Sequence, residues 1–302
     1  MTMISYAQNG EDVLLRRVFG DTQAGFYIDV GACHPTLHSV TKHFYDRGWS
    51  GINIEPVSTV FEVLRAERPR DVNLNVGLSD RPGTLDFFEA PSSLGRSTFS
   101  TGFRDGWNAH DGCEFVRRSV EVLTLALVCE RHADRPIDFL KIDVEGHERA
   151  VLAGADFARW RPRVVLIEGR PGYIEDWEGL ILGADYLFAT FDGINCYYVR
   201  AEDRQFMPTL AVPINVQDDY TPHSHYSAIQ RYAFEFDEAC GRLNAATERM
   251  ATLDAELQAM RGRLAGLDDL GPTALAVARR AKHAARRHPL LASLVRKIAR
   301  AV

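Results

Sequence analysis

No stretch of about 18 uncharged apolar residues occurs in the 302-residue chain, and the N-terminal MTMISYAQNGEDVLL has no basic run leading into an apolar one. Neither a membrane span nor a secretory signal peptide is predicted. The five cysteines (Cys33, Cys113, Cys129, Cys196, Cys240) are widely spaced, form no CxxC pair and lack the Cys/His spacing of a zinc site. Reduced thiols in a cytoplasmic compartment are expected. Basic charge is scarce in the body of the chain. Eight of the 35 Lys and Arg fall in residues 273–302, where no acid occurs, which leaves residues 1–272 with a net charge of −14. Phosphate contacts need a basic face, so nucleic acid is not expected as a partner. A dinucleotide fingerprint is also missing, since DVGACHP at 29–35 holds a single glycine.

What is present through the first 200 residues is an alternation of short Val-, Ile- and Phe-rich runs with helical patterns. Strands are predicted at 25–30, 51–56, 72–78, 137–144, 164–169, 186–191 and 196–199, with shorter ones at 84–88 and 117–123. Helices are predicted over 37–47, from Val57 to Glu67, and over 146–157. This alternation predicts an α/β fold with a doubly wound, mostly parallel sheet, its last two strands an antiparallel hairpin around Asp192 and Gly193. Residues 91–116, polar and rich in Gly and Ser, read as an insertion that covers a site.

From Ile229 the period becomes heptad. Ile229, Phe236, Leu243, Met250, Leu257 and Leu264 occupy a, and Tyr232, Ala239, Ala246, Leu253, Met260 and Leu267 occupy d. In a parallel pair Arg249 meets Asp254, Glu256 meets Arg261 and Arg263 meets Asp268, which predicts a homodimeric coiled coil. A long helix packed on its own domain is the competing reading. Beyond Gly271 and Pro272, the apolar face of residues 290–302 lies opposite Arg296, Lys297 and Arg300, the layout of a helix lying in a membrane interface. The predicted domains are 1–222, 226–270 and 273–302. The basic tail is expected to bind an anionic membrane surface, with a partner protein such as a glycosyltransferase as the alternative.

Asp29, Gly31 and Ala32 sit at the end of the first predicted strand, where an open parallel sheet leaves its ligand crevice. Gly31 is expected to let the backbone approach a ligand closely. Glu55 ends the second strand and is placed to accept from the two hydroxyls of a ribose. A glycine-poor loop between two acids favours S-adenosylmethionine over a nicotinamide cofactor, because the methyl donor has no pyrophosphate to seat on a helix N-terminus. In LKIDVEGHE, strand alternation sets Lys141 and Asp143 on one side and Leu140, Ile142 and Val144 on the other. Asp143 is the first candidate to face an acceptor, with Lys141 holding it ionised, and a buried ion pair that only orders the strand end is the alternative. His147, His34 and His38 are further candidate bases. Glu148 opens a helix and reads as a capping group. Glu168, at the end of the next strand, could hold a divalent metal together with Asp143, although a metal is not favoured.

SYAQNGED at 5–12, FYIDVGACHP at 26–35, SVT at 39–41, INIEP at 52–56, LSD at 78–80 and FLKIDVEGHE at 139–148 together resemble the FkbM family of S-adenosylmethionine-dependent methyltransferases, over residues 1 to about 200. The resemblance implies a class I, Rossmann-like methyltransferase fold and O-methylation of a sugar, glycan or glycolipid hydroxyl. By the same resemblance Asp29 and Gly31 take the methionine and ribose side, Glu55 the ribose hydroxyls, and Asp80, after Ser79, the adenine edge. His34-Pro35 stands where many relatives carry Asn and a further Gly. The expected function is thus an O-methyltransferase at the cytoplasmic membrane face. The alternatives are a degenerate methyltransferase domain kept as a coiled-coil scaffold for glycan assembly, or a nicotinamide-dependent dehydrogenase.

Overall fold

The computed structural model describes residues 2–169, 172, 174–268, 271, 272, 276, 277, 279, 280 and 283. In chain order its elements are β1 (Met3–Ser5), α1 (Glu11–Phe19), β2 (Phe26–Val30), α2 (Lys42–Asp46), β3 (Ser50–Ile54), α3 (Ser58–Glu67), β4 (Val72–Leu74), β5 (Gly77–Leu78) and β6 (Gly83–Glu89). There follow α4 (Thr101–Asp111), β7 (Val116–Leu123), α5 (Leu125–His132), β8 (Phe139–Ile142), α6 (Glu148–Ala153), β9 (Val164–Glu168) and α7 (Ile174–Leu182). β10 (Tyr186–Phe191), β11 (Asn195–Arg200), α8 (Met207–Leu210), β12 (Tyr220–Pro222) and α9 (His223–Asp268) complete the series.

Seven strands form the main sheet in the order β10-β11-β9-β8-β2-β3-β4. The run from β9 to β4 is parallel, while β11 is antiparallel to both β9 and β10. Ile28, Val30, Ile52, Leu140, Ile142 and Val165 pack into one core, and their chain neighbours Tyr27, Phe139, Val164 and Leu166 into another. The alternation of a pleated strand thus feeds apolar side chains to both faces of the sheet, which is why these strands are apolar almost throughout. The hairpin turns at Gly193, whose φ is +101°. Two smaller sheets, β5-β7-β6 and β1-β12, stand beside it among the described residues.

Several boundaries differ from those predicted. The run 72–78 is not one strand: β4 borders the main sheet, and β5 pairs with β7. Asn75 turns the chain between them, its Nδ2 donating to the carbonyls of Glu55 and Pro56. The helix predicted over 37–47 shortens to α2, because His38 adopts φ +58° and the stretch before it is a turn. The helix predicted over 146–157 shortens to α6 and stops at Gly154, where a Cβ would lie 2.2 Å from the Ser79 carbonyl oxygen.

The chain divides into two compact units, Met1–Ala228 and Ile229–Val302. The predicted interfacial helix at 290–302 lies outside the described residues. Among the described residues no helix is long and apolar enough to cross a membrane.

One buried polar cluster ties β2, β3 and the first crossover together. Arg68 is 1% exposed, donates to the Pro35 carbonyl, Ser39 Oγ and Tyr27 Oη, and lies 3.6 Å from Asp71. Asp71 in turn accepts from Tyr27 Oη, the Gly51 amide and Asn53 Nδ2. Removing the cation strands a buried carboxylate, so Arg68→Met should cost about 3–5 kcal/mol in urea denaturation. A loss under about 1 kcal/mol would show the cluster to be dispensable.

Candidate active site

The carboxyl ends of β2, β3 and β8 open into a crevice whose lining includes Gly31, Cys33, Glu55, Phe99, Asp143 and Glu145. A buried ion triad builds its rear wall. Sheet register sets Asp29 of β2 directly beside Lys141 of β8, on the same face. Lys141 Nζ lies 3.2 Å from Asp29 Oδ1 and 3.4 Å from Asp143 Oδ2, and donates to the Gly31 carbonyl at 2.8 Å. Burial disfavours the ammonium, but Asp29 and then Asp143 more than offset it, and the Lys141 pKa is raised. Lys141 therefore stays a cation inside the protein.

Three of the residues named for the cofactor are placed around this triad. Asp29 is 1% exposed, accepts from Thr41 Oγ1 and stands outside the crevice lining, because it is level with Lys141 and so two positions deeper in the sheet than Asp143. Gly31 does line the crevice, but its φ of +76° serves a different contact: a Cβ there would lie 1.9 Å from the Asp143 carbonyl oxygen. Glycine is required to bring the ends of β2 and β8 together. Ala32 is buried among Val57, Val60, Leu64 and Phe87 and also lies outside the lining.

Glu55 is buried and lines the crevice, with Oε2 accepting from the Cys33 amide and Oε1 from the Val57 amide. Burial pushes its pKa up to about 7 against the pull of those two amides. Asp143 is half-buried in the lining, just past the end of β8. Glu148 shapes the loop that follows, Oε1 accepting from the amides of Val144 and Gly146, in keeping with its reading as a capping group. Carboxylate oxygens of Asp143, Glu145 and Glu168 lie within 4.8 Å of one another. Burial first, and then the charges of Asp143 and Glu145, push the Glu168 carboxyl up to about 9.

The remaining candidates stand outside the lining. His34 Nδ1 accepts from the amides of Thr36 and Leu37, so that ring braces its own turn, and His38 is exposed. His147 Nε2 is 3.2 Å from Ser79 Oγ, and its ring lies 5.2 Å from that of Phe99; burial lowers its pKa. Ser79 is buried and donates to the exposed Asp80 at 3.3 Å. The lining residues beside them are Gly77 and Leu78. The insertion at 91–116 supplies Gly95, Ser97 and Phe99 to the crevice, and Thr98 Oγ1 donates to the Glu145 carbonyl. Cys33, Pro56, Phe87, Phe99 and Glu145 are lining residues that sequence reasoning missed. Cys33, Pro56 and Glu145 carried a signal in their places within FYIDVGACHP, INIEP and FLKIDVEGHE, whereas Phe87 and Phe99 belong to no quoted motif.

The sequence model of a family described as methyltransferase FkbM domain matches residues 29–188. The chain belongs to the FkbM methyltransferase family. It is an S-adenosylmethionine-dependent methyltransferase, and a dehydrogenase activity is set aside. Among solved structures, a TehB-like SAM-dependent methyltransferase from Corynebacterium glutamicum shares 8% identity over 62% of this chain and 87% of that one, with a TM-score of 0.34. A putative RNA methyltransferase from Pyrococcus horikoshii shares 11% identity over 64% and 82%, with a TM-score of 0.32. No curated protein matches the chain.

The crevice of this FkbM domain suits its methyl donor chemically. Carboxyl groups of Glu55, Asp143 and Glu145 surround it, as a cationic sulfonium requires, and Ile54, Leu78, Phe87 and Phe99 give it apolar walls for a base. The state of Glu168 can be tested without any ligand. A carboxyl whose pKa rises from 4.5 to about 9 on folding takes up a proton, so its stabilising contribution is full below pH 4.5 and is lost as pH climbs toward 9. Urea denaturation between about pH 6 and 9 should show stability falling with pH, and Glu168→Gln should flatten that slope. An unaltered slope in the variant would mean that Glu168 is already ionised in the folded chain.

Proposed function

We propose that the protein transfers a methyl group from S-adenosylmethionine to a hydroxyl of a sugar, glycan or glycolipid precursor. The observation that carries this reading is the half-buried Asp143, held by Lys141 at the mouth of the crevice and clustered with Glu145 and Glu168. Carboxylates grouped in this way accept hydrogen bonds from a neutral polyhydroxy compound and repel phosphate, which favours a sugar over a nucleic acid. Bound S-adenosylmethionine supplies an electrophilic methyl carbon.

In this proposal Glu55 takes the ribose hydroxyls and Phe99 and Leu78 flank the base. Asp29 acts one step back, by keeping Lys141 charged and in place. Alignment of the acceptor oxygen is the main task of the protein and can supply roughly 7–11 kcal/mol. As that oxygen would bond to the methyl carbon and the carbon–sulfur bond break to leave a neutral thioether, its proton would pass to the Asp143 carboxylate, which the Lys141 ammonium holds in position at 3.4 Å. General base assistance of this kind contributes about 10²–10⁴ in rate. A divalent cation held by Asp143, Glu145 and Glu168 is the alternative way to acidify the hydroxyl.

Glu55→Ala should weaken S-adenosylmethionine binding by about tenfold or more in calorimetric titration, since each charge-assisted hydrogen bond is worth about 1.5–3 kcal/mol. Asp143→Asn should lower turnover by roughly 10²–10⁴ while cofactor affinity stays within a few fold. A near wild-type rate in that variant would remove Asp143 as the base. Loss of activity with a chelator, restored by added metal, would move the role to the cation. The acceptor is tested by comparing glycans from cells with and without the gene for the loss of a methyl group per modified residue.

A further inference from the structure

The helix α9 runs for 46 residues, about 69 Å at 1.5 Å per residue, and a lone helix has no means of burying a stripe of large apolar side chains along such a length. The heptad a positions are nonetheless open to solvent in the single chain: Phe236 is 69% exposed, Leu243 67% and Met250 66%. The d positions Tyr232, Leu253 and Met260 are exposed as well. Charges flank this seam in a definite order. Arg249 and Glu256 stand at g, Asp254 and Arg261 at e. Among the described residues an ion pair on the helix joins Arg242 to Glu238, while Arg249, Asp254, Glu256 and Arg261 make none within their own chain.

We infer that the occupant of this stripe is α9 of a second copy, in a parallel and in-register two-stranded coiled coil. In that register each g residue meets the e residue five positions further along the other chain, so Arg249 faces Asp254 and Glu256 faces Arg261, each twice by symmetry. Both pairs attract, and the apolar a and d residues close on their own copies. Charges that are idle in one chain acquire partners in two.

The test uses the full chain. Light scattering should give twice the mass of one chain, and a monomer, trimer or tetramer would overturn the inference. Leu243→Lys combined with Met250→Lys should yield a monomer whose S-adenosylmethionine affinity is unchanged, which shows that the catalytic unit remains folded. A variant that stays dimeric would place the interface elsewhere and refute the assignment. Direction is read from Met260→Cys in a Cys240→Ser background. Mild oxidation should give a covalent dimer on a non-reducing gel, because position 260 meets itself only when the helices run the same way. A dimer that does not cross-link is antiparallel and overturns the register. Arg249→Glu should weaken dimerisation about fivefold, and adding Asp254→Arg should restore it.

Discussion

The crevice depends on one buried ammonium. Lys141 lies between Asp29 behind it, Asp143 in front and the Gly31 carbonyl at its side, so a single cation joins the ends of β2 and β8 to the first loop. A charge out of water is costly unless it is paired and hydrogen-bonded, and here each member of the triad is held by the others. Gly31 makes the arrangement sterically feasible, since any side chain at that position would collide with the Asp143 carbonyl. From this junction the loop continues to Cys33, whose amide is fixed by Glu55 at the end of β3. The positions of both carboxylates assigned to cofactor and acceptor thus follow from the same ion cluster.

Electrostatics of the crevice agree with the family to which the chain belongs. Glu55, Asp143 and Glu145 line one cavity, and Glu168 adds a carboxyl that burial and neighbouring charge keep protonated well above its usual range. Such a surface attracts a sulfonium and tolerates neutral hydroxyls, while the pyrophosphate of a dinucleotide would be repelled. Around it the motifs of the first residues act as braces. Asp12 accepts from Ser5 Oγ and the Tyr6 amide, and Glu11 accepts from the Asn9 amide and from Asn195 on β11. Several of the acidic residues that make the sequence recognisable therefore do structural work at the same sheet edge as the crevice.

Much of this was legible in the chain itself. The apolar runs of β2, β3, β8 and β9 and the turn at Asp192 and Gly193 are local patterns, and period-two or heptad spacing depends on neighbours a few residues apart. Glu55, Asp143 and Glu168 could be named because a strand end puts its last side chains at the crevice in any open parallel sheet. Less was legible where two distant segments decide the outcome. Asp29 and Asp143 both stand near strand ends and both reach Lys141, yet the register between β2 and β8 sets Asp29 level with Lys141 inside the sheet and leaves Asp143, two positions further on, at the crevice. His34 had its ring nitrogen claimed by two amides of its own turn, which no spacing rule announces.

By itself, then, the sequence determined the apolar cores of the main strands, the acidic character of the site, the family and the heptad pattern, because each is written in side-chain identity and short-range period. Tertiary structure alone decided which carboxylates share one cavity, why residue 31 is glycine, and that Phe99 from a polar insertion without periodicity closes over the strand ends. Those outcomes rest on contacts between segments far apart in the chain, such as Thr98 with the Glu145 carbonyl and Asp29 with Lys141. Such contacts are set by the geometry of packing and sheet register, which local composition does not encode.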